Sequence, residues 1–243
     1  MRLAEIWRYP VKSLQGEQLR SAAVSAEGIE GDRQFAIFDE STGLGVTARR
    51  DAELLFASAR ILTDGPISRD AIEITLPDGS IARDDAALSS WLGRPVALRS
   101  TQEVTSRQFE NLDDFEHEST SSWHPFSGSS GAFHDGENSR VSLVSRHTLG
   151  DWDRRRFRPN LVLDGAGEDD LVGQTVRLGS AQLHVEHRLG RCVMVTRPQP
   201  GGIDKDLGVL RTVHRERGGK LAIGATVAVP GTVSVGDEIA RWS

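Results

Sequence analysis

The chain has 243 residues and a formal charge of −6. That length suffices for one large domain or two small ones, and the acidic balance argues against general nucleic-acid binding, because phosphate contacts require an excess of basic residues. The single cysteine excludes an intrachain disulfide and any site built from several cysteines. Neither a signal peptide nor a membrane-length apolar run is present, so we expect a cytoplasmic protein that does not bind membranes.

Short strands separated by turns dominate the first half of the chain. Pro10 restricts Tyr9 to an extended backbone and predicts a strand that ends in a turn displaying Lys12 and Ser13. The alternation over residues 19–24 and 34–39 predicts a hairpin. Further short strands are predicted at 57–62 and 72–76, and their spacing is typical of a small β-barrel or sandwich.

A short helix closes this region. Asp84 or Asp85 offers an N-cap, apolar residues follow at helical spacing, and Gly93 with Pro95 ends the pattern. We therefore place a domain boundary near Ser100, with a first domain at 1–100 and a second at 101–243.

Residues 101–140 form a loop-rich stretch with scattered aromatic residues, which we interpret as a partly ordered lid or insertion. Its three histidines, His117, His124 and His134, lack a metal-binding spacing. We expect them to face solvent or to cap local structure.

The second half again predicts mostly strands, at 140–145, 161–163, 175–178 and 182–186. Ser145 is a predicted N-cap of a short helix, and a second helix over 207–213 ends at Gly218. The chain closes with a predicted hairpin around Pro230-Gly231. An arginine run, comprising Arg154, Arg155, Arg156 and Arg158, fits either an anion site or a solvated helix end.

Cys192 follows Arg191 directly and is the only thiol of the chain. A thiolate is a strong nucleophile and a soft metal ligand, and a neighbouring cation favours the ionised form by lowering the thiol pKa. A lone cysteine is also commonly an inert, buried small hydrophobe. The residues by themselves leave both readings open.

Five motifs span nearly the whole chain: Y-P-V-K-S at 9–13, G-D-R at 31–33, R-F-R-P-N at 156–160, G-R-C at 190–192 and V-S-V-G-D-E-I at 233–239. In this order and spacing they resemble the MOSC family, named for the C-terminal domain of molybdenum cofactor sulfurase. Within it, the chain resembles the subgroup that also carries an N-terminal β-barrel domain and includes amidoxime-reducing proteins and their bacterial relatives.

This resemblance implies a mainly β protein with a few short helices, in which a small N-terminal β-barrel domain and a MOSC β-barrel domain cradle a molybdenum cofactor. Cys192 would be the thiolate ligand of molybdenum and the catalytic residue. The resemblance also implies six cofactor-binding residues: Lys12, Ser13 and Arg33 from the first domain, and Arg158, Asn160 and Arg191 from the second. The chemistry agrees in kind, because a phosphate-bearing pterin suits arginine forks and a lysine charge.

One departure from the family pattern lies just after the cysteine. The members closest to the amidoxime reductases carry an acidic residue and a proline there, whereas this chain has Arg197 and Pro198. We therefore expect a different charge beyond the cofactor. The sequence carries no ferredoxin-like cluster of cysteines, so electrons would come from a separate protein.

Two functions follow from these observations. The first is a molybdenum-dependent oxidoreductase that reduces N-hydroxylated or N-oxygenated small molecules. The second is a sulfur carrier or sulfurtransferase that uses a Cys192 persulfide, or a cofactor carrier without redox turnover. A β-rich binding module with a buried cysteine is the third reading. The sequence leaves the oligomeric state open.

Overall fold

The computed structural model describes residues 1–63, 65–104 and 106–242. Strands dominate these residues: β1 Arg2–Arg8, β2 Glu17–Leu19, β3 Ser21–Ser25, β4 Gly28–Ile29, β5 Phe35–Asp39, β6 Ser58–Ile61, β7 Ile72–Thr75, β8 Ile81–Ala82, β9 Val96–Ser100, β10 Gln108–Leu112, β11 Trp123–Ser127, β12 Val141–Ser145, β13 Leu161–Asp164, β14 Thr175–Leu178, β15 Ala181–Gly190, β16 Lys220–Val229, β17 Gly231–Ser234 and β18 Ala240–Arg241. The helices are α1 Asp85–Leu92, α2 Arg146–Leu149 and α3 Leu207–Arg217. The prediction of a mainly β protein with a few short helices is confirmed.

The largest sheet has eight strands in the order β18-β14-β15-β16-β12-β13-β1-β2. Strand β1 from the N-terminus pairs antiparallel with β13, while β12 and β13 run parallel. An apolar core lies against this sheet and includes Leu3, Ile6, Leu143, Leu161 and Ile223. Strand β1 precedes the motif at 9–13 and β13 follows the motif at 156–160, so the pairing of these strands brings the two motifs close together.

Four smaller sheets complete the β structure of the described residues: β5-β9, β6-β7-β8, β10-β11 and β17-β3-β4. The predicted hairpin of residues 19–24 with 34–39 is wrong, because β5 pairs with β9 and β3 pairs with β4 and β17. Residues Phe35 to Phe38 are all buried, so β5 lies in a core with both of its faces covered. Alternation along the sequence does not identify the partner of such a strand.

The predicted C-terminal hairpin is also wrong. Strand β17 pairs with β3 rather than with β16, and the chain after Pro230 passes close to another turn. A Cβ at Gly231 would lie 2.6 Å from the backbone nitrogen of Ala181, so a side chain there would prevent this crossing. Pro230 separates β16 from β17, but the long-range contact of Gly231 decides the pairing.

The helix ends follow the predicted capping. The Asp84 side chain accepts a hydrogen bond from the Ala87 amide at 2.8 Å, and Gly93 ends α1 with a left-handed backbone. Ser145 caps α2 by accepting from the Thr148 amide at 3.0 Å. Gly218 ends α3 in the same left-handed conformation as Gly93.

The described part of residues 101–140 contains the β10-β11 hairpin, which agrees with a partly ordered insertion. Phe109 and Phe133 are fully buried and pack with Phe38. This aromatic cluster fixes the base of the segment against β5. The division into domains at residue 100 stays a prediction, as does the role of the segment as a lid.

Candidate active site

Cys192 lies where β15 ends and a short 3-10 turn, Val193–Thr196, begins. The backbone of Cys192 is extended, and Val193 and Val195 are buried on either side of Met194. The thiol itself is half-buried and free. This local structure holds the cysteine at a strand end, where its side chain keeps partial access to solvent.

Six of the seven predicted site residues line one open cleft of about 800 Å³, solvent at its mouth included. They are Lys12, Ser13, Arg33, Arg158, Asn160 and Arg191. Cys192 is not among the lining residues, but it directly follows Arg191 and interacts with Arg49, and both of these arginines line the cleft. The structure thus brings together residues from both ends of the sequence, from Lys12 to Arg191.

Lys12 is buried, with 7% of its surface exposed. Its Nζ donates to the carbonyl oxygen of Phe133 at 2.9 Å and to the carboxylate of Asp135 at 2.5 Å. Burial lowers the pKa of Lys12 to about 8, against the opposing effect of Asp135. Neighbouring Ser13 accepts a hydrogen bond from the Ala48 amide at 3.1 Å, so its hydroxyl hydrogen remains available to a ligand.

Tyr9 separates two arginines of the site. The guanidinium carbon of Arg158 lies 4.3 Å from the centre of the Tyr9 ring and that of Arg33 lies 5.1 Å from it. Arg33 forms an ion pair with Asp32, whose other oxygen accepts from the Tyr9 amide at 2.7 Å. The Tyr9 hydroxyl donates to the carbonyl of Pro159 at 3.2 Å. Tyr9 therefore positions both cations, a role that the sequence did not indicate.

Backbone strain is concentrated at the site. Among the described residues, four that are not glycine have a positive φ: Ser13 at 71°, Arg33 at 52°, Arg158 at 51° and Ala222 at 70°. Each such residue costs roughly 1–3 kcal/mol, and strained residues tend to gather at functional sites. Three of these four are residues that the sequence assigned to cofactor binding.

The guanidinium groups of Arg158 and Arg191 keep N–H groups that have no hydrogen-bond partner among the described residues. Arg158 is 4% exposed, and neither of its Nη atoms forms a hydrogen bond with the described residues. Arg191 donates to the carbonyls of Leu221 and Phe157, at 2.8 and 3.1 Å, but its Nη2 has no partner there. Burial lowers the pKa of each arginine to about 10, so both stay charged at neutral pH. Buried, unpaired cations of this kind favour a bound anion.

Asn160 uses its polar atoms differently. Its Oδ1 accepts from the amide and hydroxyl of Ser142, at 3.2 and 2.9 Å, and its Nδ2 donates to the Trp7 carbonyl at 3.2 Å. The side chain joins β1, β12 and the start of β13 while lining the cleft. A direct bond from Asn160 to a cofactor stays a prediction.

Three more residues that the sequence missed line the cleft: Arg49, His134 and Asp135. Burial by itself lowers the pKa of Arg49. Asp135 and Cys192 raise it by more than burial lowers it, so the net shift is upward. The expectation that His134 faces solvent is wrong, because it is 4% exposed and its Nε2 has no partner in the described structure. Buried Phe133 draws the neighbouring residues into the cleft, a long-range effect that the histidine spacing could not show.

The arginine run divides between several tasks. Arg156 is buried and donates to the carbonyls of Val195, Arg197 and Asp204, at 3.3, 3.2 and 2.8 Å, so it braces the chain after Cys192. Arg155 pairs with Asp153, and Arg154 lies over the Trp7 ring. Only Arg158 of this run lines the cleft.

Arg197 is buried and forms an ion pair with Glu118, with Arg197 Nη1 and Glu118 Oε2 2.8 Å apart. It also donates to the backbone carbonyl of Arg49. Glu118 comes from the 101–140 segment and is 3.5 Å from Lys205 as well. The positive charge that departs from the family pattern therefore meets a carboxylate from elsewhere in the chain.

Two family models match this chain. The model of the MOSC N-terminal beta barrel domain matches residues 1–120, and that of the MOSC domain matches residues 130–240. The chain belongs to the MOSC family. Within the described residues, no group of three or more histidine, cysteine or acidic side chains is placed to hold a metal ion, and none of the helices combines the length and apolarity needed to cross a membrane.

Relatives of this MOSC protein include two enzymes of molybdenum biology. It is 27% identical to mouse mitochondrial amidoxime-reducing component 1, over 98% of this chain and 81% of that protein. It is also 27% identical to the molybdenum cofactor sulfurase of rice, over 91% of this chain. The match spans about a third of the length of the sulfurase, 32%.

Among solved structures, the YuaD protein of Bacillus subtilis is 13% identical with a TM-score of 0.44, over 98% of this chain and 93% of that one. YiiM of Geobacillus stearothermophilus is 16% identical with a TM-score of 0.37, over 58% of this chain and 74% of that one.

Proposed function

We propose that this MOSC protein binds a molybdenum cofactor and removes oxygen from N-hydroxylated or N-oxygenated small molecules. The observation that carries the proposal is the position of the only thiol of the chain, next to Arg191 and Arg49, beside a cleft in which Arg158 and Arg191 keep N–H groups without partners among the described residues. The similarity to the amidoxime-reducing component supports the reaction class.

The donor set suits such a cofactor. Cys192 can supply one soft thiolate, and the remaining sulfur ligands would come from the pterin. Arg158 and Arg191 offer N–H groups that are unpaired among the described residues and match a phosphate, and Lys12, Ser13 and Arg33 line the same cleft. When bound, molybdenum would supply the two-electron chemistry that converts an N–OH group and two protons into N–H and water.

The residues of the chain would bind, orient and shield. Arg156 holds the turn after Cys192 through three backbone carbonyls, so the thiolate keeps one direction. Tyr9 and Asp32 fix Arg33, and the Tyr9 ring supports Arg158. Electrons would arrive from a separate protein.

Metal content and reduction of a model substrate test this function. Protein made in a host that synthesises the cofactor should contain about one molybdenum per chain and reduce benzamidoxime with an artificial electron donor. We expect Cys192→Ser to lose both. Met194→Leu is the matched control, since Met194 lines the same cleft two residues away and should keep both. Full activity in Cys192→Ser, or wild-type protein without molybdenum, would refute the proposal.

Sulfur transfer is a second candidate, favoured by the similarity to molybdenum cofactor sulfurases. Here the Cys192 thiolate would attack the outer sulfur of a donor persulfide, forming a new S–S bond as the donor thiolate leaves. Intact-mass spectrometry after incubation with such a donor would show one added sulfur on the wild type and none on Cys192→Ser. A persulfide in protein that binds no metal would favour this role over the reductase.

A further inference from the structure

Two buried cations of the cleft converge on one carboxylate. Lys12 Nζ lies 2.5 Å from Asp135 Oδ1, and Arg49 Nη2 lies 2.5 Å from Asp135 Oδ2. Each carboxylate oxygen thus takes one cation. The same arrangement would suit two oxygens of a phosphate or of another carboxylate.

The two cations are held rigidly. Lys12 and Arg49 are each 7% exposed. Lys12 also donates to the Phe133 carbonyl and lies 4.5 Å from the centre of the Phe109 ring. The Arg49 guanidinium lies 4.9 Å from the centre of the Phe126 ring. Each cation therefore also has a contact with an aromatic ring that does not involve Asp135.

The carboxylate, in contrast, is loosely packed. The Asp135 side chain is 52% exposed, and the next three residues, Gly136 to Asn138, are exposed as well. A Cβ added at Gly136 would meet no atom within 4 Å. Buried Phe133 and Arg140 anchor the segment on either side, so Asp135 can turn toward solvent without disturbing the core.

We infer that Lys12 and Arg49 form an oxyanion site, that Asp135 fills this site while no ligand is bound, and that an incoming phosphate or carboxylate displaces it. The inference deepens the proposed function, because the anion would belong either to the cofactor or to an anionic substrate in the same cleft. It assigns Asp135 the role of an internal competitor that leaves the cations paired in the empty protein.

A tethered competitor weakens binding in proportion to the time it occupies the site. Such a group acts at an effective concentration in the millimolar range or above. Removing its charge should therefore tighten the binding of an external oxyanion by at least about tenfold.

Calorimetric titration of the full cofactor-free chain with inorganic phosphate tests this. We expect the Kd of Asp135→Asn to be at least about tenfold lower than that of the wild type. The matched control is Asp164→Asn, which removes the same charge from an exposed ion pair with Arg146 and should leave Kd unchanged. Equal phosphate affinity in Asp135→Asn and wild type would overturn the inference.

Double variants show which residues cause the higher phosphate affinity expected of Asp135→Asn. Adding Lys12→Met or Arg49→Met to Asp135→Asn should abolish it, whereas adding Arg155→Met should not, because Arg155 pairs with Asp153 and does not line the cleft. A gain that survives both Lys12→Met and Arg49→Met would contradict the assignment. If either of these buried substitutions prevents folding, phosphate titration of the wild type by NMR replaces it. Phosphate should then shift the amide signals of residues 134–137, and unchanged signals would count against the site.

Phosphate titration of cofactor-loaded Asp135→Asn protein distinguishes the two possible sources of the oxyanion, the cofactor and an anionic substrate. If the cofactor occupies the site, loading abolishes phosphate binding there; if a substrate does, phosphate still binds and competes with an anionic substrate. Either result requires the site to exist. Because the main titration needs no molybdenum, a wild type that never binds the metal would refute the proposed function and leave this test intact.

Discussion

The two walls of the cleft hold their buried cations in opposite ways. The first wall consists of Lys12 and Arg49, whose charges meet the carboxylate of Asp135. The second wall consists of Arg158 and Arg191, which retain guanidinium N–H groups without partners in the described structure. The first wall pairs its cations with a carboxylate, although Arg49 Nε also lacks a partner there, whereas no carboxylate of the described residues is paired with Arg158 or Arg191.

The two pairs of cations should therefore contribute differently to the stability of the folded protein and to anion binding. A buried cation without a partner disfavours the folded state, and a cation paired with an acid does not to the same degree. The second wall also contains the strained backbone of Arg158. We therefore expect a bound anion to stabilise the second wall. The cations of the first wall are already stabilised by Asp135 in the cofactor-free protein.

Arg158→Met should produce the largest effect on binding and none on stability. Loss of a charge-assisted fork to phosphate costs about 2–3 kcal/mol, or roughly 30- to 150-fold in cofactor affinity. The urea unfolding free energy of the cofactor-free protein should stay equal or rise, since the removed guanidinium Nη atoms have no hydrogen-bond partner among the described residues. Arg155→Met, from the same run but paired with Asp153, should keep the cofactor. A large loss of stability in Arg158→Met would contradict the contrast between the walls.

His134 should make the first wall sensitive to acid. Burial lowers its pKa to about 3, helped by Arg33, Lys12 and Arg140 and opposed by Asp32. The neutral form is thus required for folding, so stability is complete above the unfolded pKa of about 6.5 and falls as pH drops below it. The loss should be on the order of 1.4 kcal/mol per pH unit, or about 2 kcal/mol by pH 5.

Urea unfolding of His134→Gln between pH 7.5 and 5 measures this contribution. The variant should lose less stability than the wild type over that interval, and the difference between the two curves should open only below pH 6.5. His147→Gln serves as the comparison, because His147 does not line the cleft. Parallel curves for His134→Gln and the wild type would show that folding does not lower the pKa of His134.

Arg49→Met should destabilise the cofactor-free protein, in contrast to Arg158→Met. It leaves Asp135 with one cation and Phe126 without its guanidinium contact. Because Asp135 is half-exposed, we expect about 1–2 kcal/mol rather than the larger cost of a fully buried broken pair. Thermal unfolding of the two variants side by side gives the comparison, and an unchanged Tm in Arg49→Met would remove the distinction between the walls.

The sequence predicted much of the second wall because its residues stand in contiguous motifs. Arg158 and Arg191 lie within a few residues of Pro159 and Cys192, so local pattern and family resemblance identify them together. Helix caps such as Asp84 were predicted for the same reason, since capping involves residues only three apart.

The sequence did not predict most of the first wall. Lys12 was identified, but Arg49 and Asp135 come from separate loops that only the packing of Phe109, Phe126 and Phe133 brings together. The pairing of β17 with β3 escaped for an equivalent reason, as the two strands are some 200 residues apart. Contacts of this kind depend on tertiary packing, which leaves little trace in local spacing.

Tyr9→Phe should produce the smallest effect and tests how the walls are joined. The substitution removes the hydrogen bond to the Pro159 carbonyl but keeps the ring between Arg33 and Arg158. We expect a loss of about 1 kcal/mol in unfolding free energy, with cofactor content within about twofold, since ring stacking can supply the positioning. Tyr9→Leu removes the ring as well and should lower cofactor content further, with a larger loss of unfolding free energy because the ring is fully buried. Equal cofactor content in the two variants would mean that the aromatic face does not position the arginines.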